Sequence, residues 1–510
     1  MPGHLTLRPV DLIILMGLMA GLTMVGLLFT RRRDTTKDYF LGGKNLPWWA
    51  VALSIVATET SAATFVAVPA WSYAPSGGNL FFLQLTLGYL IGRLLIALWF
   101  VPKLRERDSL SIYEYLEHRF GPKARAIAGA TYFVTRALAS GVRLYIPAMV
   151  LNKIAPEMGI GTCIFVSMAA TLLYTVFGGF KAVIWTDVLM FVIYVAGGVA
   201  CLVRINMLSD GGFSGLMAVA SDAQKLKWLN LDVLNFKVNY TLLSGLVGGA
   251  VLTLATHGTD QSIGQRLLAC RTSRDSQWAI ATSGLIIIPQ FILFLFIGVM
   301  LYGFFHANLP PVQDNDIMAY FIVNHLPYLL ADLIIAGIFA AALSTTSAEI
   351  NALANVTMTD FYKRFLRPGG SDSHYLWVGR LFSLGWGLVL MVVAYLPLYA
   401  KDFPLLDLCL AIPSLTFGAL LGAYLLGFFT RRTTERGVIT GAVAGLMATL
   451  WWGFFPMLYR FFPDPMPEFM GHITKLGWPW FCPIGAGTTV MVGYWASYLP
   501  WVGEARQNNK

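Results

Sequence analysis

Apolar stretches long enough to cross a lipid bilayer recur along the whole chain, separated by short polar connections. About 20 apolar residues in a helix span the ~30 Å hydrocarbon core, and thirteen windows reach that length. They are residues 11–30, 46–70, 79–101, 124–151, 159–177, 182–202, 240–257, 278–305, 328–356, 375–396, 405–429, 437–455 and 479–498. The pattern predicts an all-α polytopic membrane protein with 13 transmembrane helices in a single domain over residues 1–510.

Two runs of polar residues interrupt these apolar windows. Residues 57–61 read Ala-Thr-Glu-Thr-Ser, and residues 344–347 read Ser-Thr-Thr-Ser. Hydrocarbon offers no water to such groups, so at this depth they must face protein, a ligand or a water-filled cavity. The two runs therefore indicate an ion site or a solute pathway.

The order of the windows repeats along the chain. Residues 46–202 and 240–429 each contain five windows, and the first window of each block carries a patch of small and polar residues, at 57–64 and at 253–260. This correspondence is typical of inverted-repeat transporters, in which two broken helices form a binding site at the membrane midplane. Unwound backbone at such a break leaves carbonyl oxygens available for a cation.

Composition and charge agree with a membrane protein. The chain is 56% hydrophobic and 12% charged, against roughly 25% charged residues in a soluble domain, and its mean hydropathy is +0.64. The net charge of +9 is divided among many short loops, which excludes a nucleic-acid-binding surface. The loops richest in Lys and Arg predict an outside N-terminus and a cytoplasmic C-terminus in a plasma membrane, such as a bacterial inner membrane. These loops lie at residues 31–33, 103–125, 266–274, 363–367 and 431–432.

Motifs of enzyme chemistry are not found. The sequence has no HExxH motif, nucleophile elbow or phosphate-binding loop, and its five cysteines are scattered without a CxxC pair.

The basic cluster at residues 31–33 follows the first apolar window, so this window is predicted to be a retained helix and not a signal peptide. The alternatives to a transporter are a membrane-embedded solute sensor on the same scaffold and a passive channel.

Some further segments predict local structure. The outer connections 205–239 and 306–325 are expected to carry short helices at the outer mouth, and residues 105–125 predict an interfacial helix because apolar residues recur at near-helical spacing.

Gly437, Gly441 and Gly445 form a small-residue stripe that permits close helix approach. We expect this stripe to pack inside a monomer, with a dimer contact as the alternative.

Four stretches resemble the sodium/solute symporter family, whose members carry sugars, proline, sialic acid, vitamins and anions. The resemblance is carried by sequence motifs that occur in the family's order between residues 38 and 363. They are DYFLGGKNLPWW at 38–49, FGGFKAVIWTD at 177–187, GTDQ at 258–261 leading to Gln265-Arg266, and AALST at 341–345 followed by TDFYK at 359–363. Beyond residue 363 the resemblance is mainly one of hydropathy.

The resemblance implies a LeuT-type fold, a 5+5 inverted repeat with one extra helix (11–30) before the core and two (437–498) after it. It implies sodium-driven uptake by alternating access. The shared sodium site would use backbone carbonyls of Ala57, Thr60 and Ala341 and the hydroxyls of Ser344 and Thr345. Sodium is a hard cation, and neutral oxygen ligands can hold it weakly enough to release it. The alternative is that the two hydroxyls bond their own helix or a neighbouring one.

A second sodium site exists in some members of the family. Asp187, Ser344 and Ser347 match its positions, but Ala348 stands where a further hydroxyl is expected. The resemblance therefore leaves open whether one or two sodium ions bind. The alternative role for Asp187 is a structural ion pair or a hydrogen bond to a helix end.

The resemblance also implies positions that contact the solute. They are Glu59, Ser61, Thr64, Gln84, Arg136, Thr253, Thr256 and His257. The solute would be a small polar organic molecule: a sugar, an acidic sugar or other carboxylate, or an amino acid.

Several of these charged residues have an alternative role. Arg136 could clamp a carboxylate of the solute or pair with Glu59 or another carboxylate. Glu59 could support sodium, bind the solute or take a proton. A lone histidine such as His257 is more often a hydrogen-bonded packing residue than a proton relay. The remaining intramembrane charges are expected at helix ends or in packing; they are Arg93, Arg143, Glu349 and Arg380.

Overall fold

The computed structural model describes residues 41–60, 62–75, 77–106, 110–154, 156–399, 405–455 and 476–499, together with isolated positions 17, 21 and 24. Within these ranges the regular structure is helical, apart from one isolated bridge between Leu46 and Cys270. The α-helices of six or more residues are α1 (Trp48–Glu59), α2 (Ala62–Tyr73), α3 (Leu83–Leu95), α4 (Glu114–Arg119), α5 (Pro122–Ile154), α6 (Gly159–Leu208), α7 (Gly212–Asp222), α8 (Gly249–Gly258), α9 (Gln261–Leu268), α10 (Ser273–Phe305), α11 (Ile317–His325), α12 (Tyr328–Val356), α13 (Asp372–Val393), α14 (Leu405–Phe429), α15 (Glu435–Thr449) and α16 (Phe481–Ala496).

The long helices match the predicted apolar windows. Six of them among the described residues are long and apolar enough to cross a bilayer, and the bent pair α1–α2 adds a seventh if it forms one span. Helices α12 and α14 begin and end where windows 328–356 and 405–429 do. Window 11–30 lies outside the described ranges. The chain is therefore a multi-pass membrane protein, whereas the count of 13 spans stays a prediction.

Two predicted windows lie within one helical run. Windows 159–177 and 182–202 both fall inside α6, which has 50 residues. At a rise of 1.5 Å per residue such a run is about 75 Å long, more than twice the ~30 Å hydrocarbon core. Its two apolar parts are 159–172 and 180–208. The run is therefore long enough to hold both windows, and Phe180–Leu208 by itself is long and apolar enough to cross a bilayer.

The first polar patch coincides with a break between two helices. The axes of α1 and α2 differ in direction by 55°. Thr60, at the end of α1, leaves helical geometry with φ −85° and ψ 77°. The break predicted for the first helix of the first repeat is thus present at Thr60, where α1 ends.

A second break separates α8 from α9. Thr259 (φ −120°, ψ 3°) and Asp260 (φ −93°, ψ 126°) interrupt the helical path. The Asp260 carboxylate accepts hydrogen bonds from the backbone N–H of Ser262 at 2.7 Å and from its hydroxyl at 2.7 Å. Such an N-cap satisfies a backbone donor that the new helix would otherwise leave free. The polar patch at 253–260 is therefore also the site of a broken helix.

The connections 205–239 and 306–325 carry the predicted short helices, α7 and α11. After α7, the Lys225 ammonium donates hydrogen bonds to the carbonyl oxygens of Tyr73 at 3.1 Å and Ala74 at 2.5 Å, where α2 ends. Burial lowers the pKa of Lys225 to about 8. Within segment 105–125, which was predicted to form an interfacial helix, helix α4 covers only Glu114–Arg119. The helix is therefore much shorter than the predicted segment.

The glycine stripe packs inside the protein, as predicted. Gly441 of α15 faces Thr489 and Gly493 of α16, and an added Cβ would meet the Thr489 carbonyl oxygen and lie 2.8 Å from the Gly493 nitrogen. The two backbones approach closely because Gly441 of α15 and Gly493 of α16 meet at the crossing without side chains. The stripe is thus used within one copy of the chain.

We predict that Gly441→Ala destabilises the protein by about 1–3 kcal/mol, because the added methyl group overpacks the α15–α16 crossing. Gly487→Ala is the matched control, since nothing lies within 4 Å of a Cβ built at Gly487. The measurement is the melting temperature of each variant in detergent. Equal melting temperatures for the two variants would contradict the packing described here.

Candidate functional site

A cavity lies beside the two helix breaks. Counting its open mouth, it encloses about 840 Å³, within the range of roughly 300–1,000 Å³ common for small-molecule sites. Its walls come from α1, α2, α3, α5, α8, α9, α10 and α14. Six of the residues predicted to contact a solute line it: Glu59, Thr64, Arg136, Thr253, Thr256 and His257.

Two predicted solute contacts are not among the lining residues. Ser61 lies outside the described residues. Gln84 is buried, and its side chain donates to the Phe81 carbonyl oxygen at 3.3 Å and accepts from the Asn230 backbone N–H at 3.1 Å. Gln84 therefore anchors the outer connection to α3.

Aromatic side chains form much of the remaining cavity wall. They were not anticipated from the sequence, because an aromatic residue in an apolar helix gives no signal that separates a cavity wall from ordinary core. These residues are Phe82, Tyr89, Phe291 and Phe417. The cavity thus combines a few charged and hydroxyl groups with apolar surface, as ligand sites commonly do.

Glu59 forms an ion pair with Arg93 of α3, whose side chain is completely buried. Arg93 also donates to the Ser283 hydroxyl at 3.0 Å and lies 3.2 Å from Nε2 of His257. Nε2 of His257 is 3.6 Å from Oε2 of Glu59, and its Nδ1 is 3.0 Å from the Thr256 hydroxyl. Buried charge requires a partner of opposite sign. Arg93 is therefore the counter-charge of Glu59 at the end of α1, a partner that the sequence did not identify.

Arg136 lies between two carboxylates and does not pair with Glu59. Its Nε donates to Asp260 at 2.6 Å and its Nη1 donates to Glu349 at 2.9 Å. Arg143, two turns further along α5, donates from Nη1 to the same Glu349 oxygen at 3.0 Å. This cluster ties α5 to the start of α9 and to α12, and both arginines face the cavity. Of the two predicted roles for Arg136, pairing with another carboxylate is observed.

The predicted sodium ligands lie at the first break and on α12. Ala57, Thr60 and Ala341 are buried, and Thr60 accepts a hydrogen bond from Gln290. The Thr345 hydroxyl is buried and has no hydrogen-bond partner among the described residues. A buried hydroxyl without a partner is costly, so it calls for a ligand. This donor set fits sodium, although the side chain of Ser344 is outside the described part of the chain.

The residues of the predicted second sodium site have different surroundings. Asp187 of α6 accepts from Arg266 at 3.0 Å and from the Ser54 hydroxyl. Arg266 in turn donates to Ser54 at 2.9 Å. Asp187 thus takes part in the structural ion pair that was the alternative. The Ser347 hydroxyl is buried without a partner among the described residues.

Comparison with known proteins gives consistent results. The family model of the sodium:solute symporter family matches residues 39–445. The sodium/sialic acid symporter SiaT of Proteus mirabilis (strain HI4320) is 27% identical over 449 residues, which cover 86% of this chain and 88% of that protein. The human sodium/iodide cotransporter is 31% identical over 453 residues, covering 85% of this chain and 67% of that protein.

Solved structures agree with the fold. A Na⁺-coupled sialic acid symporter in a substrate-bound outward-open state superimposes with a TM-score of 0.82 at 24% identity, covering 96% of this chain and 98% of that one. The nucleobase-cation-symport-1 family transporter Mhp1 gives a TM-score of 0.55 at 13% identity, covering 93% and 96%. The all-helical fold therefore has LeuT-like structural neighbours.

Two broken helices beside a cavity in a multi-pass helical protein are the architecture typical of secondary transporters. The chain belongs to the sodium:solute symporter family. It is a sodium-coupled symporter that moves a small solute together with Na⁺, and it is not an enzyme.

We predict that Arg93→Gln lowers stability by about 1–3 kcal/mol, because it leaves the partly buried Glu59 carboxylate without its counter-charge. The double variant Glu59→Gln/Arg93→Gln removes both charges and is expected to recover most of the loss. Melting temperatures in detergent at constant salt measure both effects. A double variant no more stable than Arg93→Gln would rule out the pair as the cause.

Proposed function

We propose that the solute is an organic anion carrying a carboxylate, such as an acidic sugar. The observation that carries this proposal is the pair of arginines, Arg136 and Arg143, on the cavity wall. Guanidinium groups bind carboxylates through paired hydrogen bonds. The named relatives support the proposal: SiaT carries sialic acid, and other family members carry iodide or monocarboxylates.

The two arginines would contribute differently. Arg136 already donates hydrogen bonds from Nε to Asp260 and from Nη1 to Glu349. Arg143 donates from Nη1 to Glu349. The Arg143 side chain is also more exposed, at 16% against 6% for Arg136. We therefore assign the direct carboxylate contact to Arg143, whereas Arg136, already paired with Asp260 and Glu349, holds the cavity wall in place.

The other polar groups of the cavity would bind the rest of the solute. The hydroxyls of Thr64, Thr253 and Thr256 are suited to sugar-like hydroxyl groups, and Ser61 is proposed to join them. Glu59 and His257 already bond Arg93, so Glu59 is less available for the ammonium group of an amino acid. This pairing favours an acidic sugar or simple carboxylate over an amino acid.

One sodium ion is proposed at the first break. Its ligands would be the carbonyl oxygens of Ala57, Thr60 and Ala341 and the hydroxyls of Ser344 and Thr345. The partnerless Thr345 hydroxyl and the unwound backbone at Thr60 support this assignment. An ion there lies next to Glu59, so its charge and the polar groups of the solute act on the same segment of chain.

A second ion at Asp187, Ser344 and Ser347 is not included in the proposal. The bond between Asp187 and Arg266 already balances that carboxylate. One sodium ion carried with a monovalent anion moves no net charge, so the membrane potential adds nothing to the driving force. A tenfold sodium gradient, worth roughly 1.4 kcal/mol, then supports about tenfold accumulation.

Coupling follows from mutual stabilisation of ion and solute. Sodium holds α1 against α12 at the break, and the solute contacts residues on either side of that break. By thermodynamic linkage, each ligand then raises the affinity of the other by the same factor. Alternating access would proceed by relative movement of the two repeats, 46–202 and 240–429, around this site.

The proposed topology completes this picture. We assign 13 transmembrane helices, a 5+5 inverted repeat, an outside N-terminus and a cytoplasmic C-terminus in the plasma membrane. The basic loops support the orientation. The internal use of the glycine stripe supports a monomer.

We predict that Thr345→Ala raises the sodium concentration for half-maximal uptake at least about tenfold, because a charged hydrogen-bond or ion contact is worth roughly 1.5–3 kcal/mol. Thr346→Ala is the matched control, since Thr346 is the next buried hydroxyl on α12 and is not a proposed ligand. Uptake in proteoliposomes at varied sodium provides the measurement. Unchanged sodium dependence in Thr345→Ala would rule out the assigned site.

We predict that Arg143→Gln raises the KM for a carboxylate solute by about 10–100-fold, since it removes a charge-assisted hydrogen bond. A proteoliposome panel of carboxylates and their carboxamide counterparts, with and without a sodium gradient, identifies the solute first. Arg380→Gln is the control, because Arg380 is exposed and does not line the cavity. Equal sodium-driven uptake of acids and amides would contradict an anionic solute, even if sodium coupling were intact.

A further inference from the structure

A second polar cavity lies where two membrane-spanning helices end. The span that begins with α3 ends at Leu104, and α14 ends at Phe429. Between these ends the cavity encloses about 980 Å³, counting its open mouth. It is separate from the solute cavity, with which it shares no lining residue.

Basic side chains dominate the lining of this cavity. Lys103 comes from the end of the span Leu83–Leu104, Arg119 from α4 and Arg431 from the residues after α14. His118 adds a group that gains positive charge on protonation, and Glu106 is the one acidic residue among the described lining. With neutral His118, three positive charges thus face one negative charge.

The acidic residues of α4 are directed away from this cavity. Glu117 accepts a hydrogen bond from Arg125 at 2.7 Å and pairs with Arg364. Glu114 accepts from the backbone N–H groups of Leu110 and Ser111, both at 3.2 Å. Helix α4 therefore separates its charges, with acids turned to the protein and His118 and Arg119 turned to the cavity.

Arg119 is held in place at the cavity wall. It donates from Nη2 to the Thr430 carbonyl oxygen at 2.6 Å, at the end of α14. Lys103 lies over the ring of Phe428, with its nitrogen 5.4 Å from the ring centre. These contacts bring the basic groups of separate segments together before any ligand binds.

The surface beside the cavity is suited to lipid. Trp99 and Phe429 pack edge to face, with their ring centres 5.3 Å apart. Their side chains are 41% and 59% exposed, and neighbouring Leu98 is 65% exposed. Exposed aromatic residues at the ends of spans are typical of the membrane interface. An acyl chain can therefore lie on this apolar surface while its headgroup reaches the basic cavity.

We propose that this cavity binds the phosphate group of an anionic phospholipid, with Lys103, Arg119 and Arg431 as its cationic contacts. Basic pockets between transmembrane helices suit anionic headgroups, and each Lys or Arg near the surface favours them. The binding is independent of solute transport, because none of these residues reaches the solute cavity.

The test is a lipid titration of the purified full-length protein in detergent, with bound lipid counted by native mass spectrometry. Dioleoyl phosphatidylglycerol is expected to bind more tightly than dioleoyl phosphatidylcholine. Lys103→Gln/Arg431→Gln is expected to weaken phosphatidylglycerol binding about thirtyfold. Arg432→Gln is the matched control, since Arg432 is equally charged, adjacent and exposed but does not line the cavity.

Separate arms distinguish the sources of phosphate. Inorganic phosphate and glycerol phosphate are expected to displace little bound phosphatidylglycerol, because they lack the acyl chains. Displacement by glycerol phosphate at the lipid's own concentration would assign the cavity to a soluble phosphate compound and overturn the lipid assignment. Equal binding of the two lipids, or equal loss in Arg432→Gln and the double variant, would overturn the proposal as a whole.

Discussion

Polar groups buried within a membrane protein must find partners inside the protein, and this constraint organises the whole structure. The two helix breaks expose backbone and introduce charge where no bulk water can compensate for it. The ion pair of Glu59 with Arg93 and the cluster of Arg136, Asp260 and Glu349 supply the compensation. Each links a break to an unbroken helix, α3 in the first case and α5 and α12 in the second. The breaks therefore persist because surrounding helices carry complementary charge.

The groups that remain without partners then acquire a meaning. Among the described residues the hydroxyl of Thr345 on α12 is buried without a hydrogen-bond partner. A sodium ion at this point would satisfy it and would hold α1 against α12. On this account the ion completes the local bonding. Sodium coupling thus follows from the same constraint that shapes the fold.

Hydropathy was sufficient to predict an all-helical membrane protein, and the polar patches at 57–64 and 253–260 predicted where helices break. These features are local, because span length and polarity at a given depth are written in consecutive residues. Pairings across the sequence were harder to predict. The partners of Arg93 and Gln84 were not foreseen, because the sequence does not say which side chains 34 or 146 residues apart will meet. The aromatic cavity wall and the role of Arg143 depend likewise on how α3, α5, α10 and α14 pack.

Sodium-specific stabilisation of the purified protein tests the central claim most directly, since it requires no knowledge of the solute. Melting temperatures are measured in sodium chloride and in potassium chloride at equal ionic strength, for the wild-type protein, Thr345→Ala and Thr346→Ala. A ligand at 100 times its Kd stabilises the folded state by about 2.7 kcal/mol. The account predicts a higher melting temperature in sodium for the wild type and Thr346→Ala, and no such difference for Thr345→Ala. Equal melting temperatures in both salts for the wild type, or an undiminished sodium effect in Thr345→Ala, would contradict it.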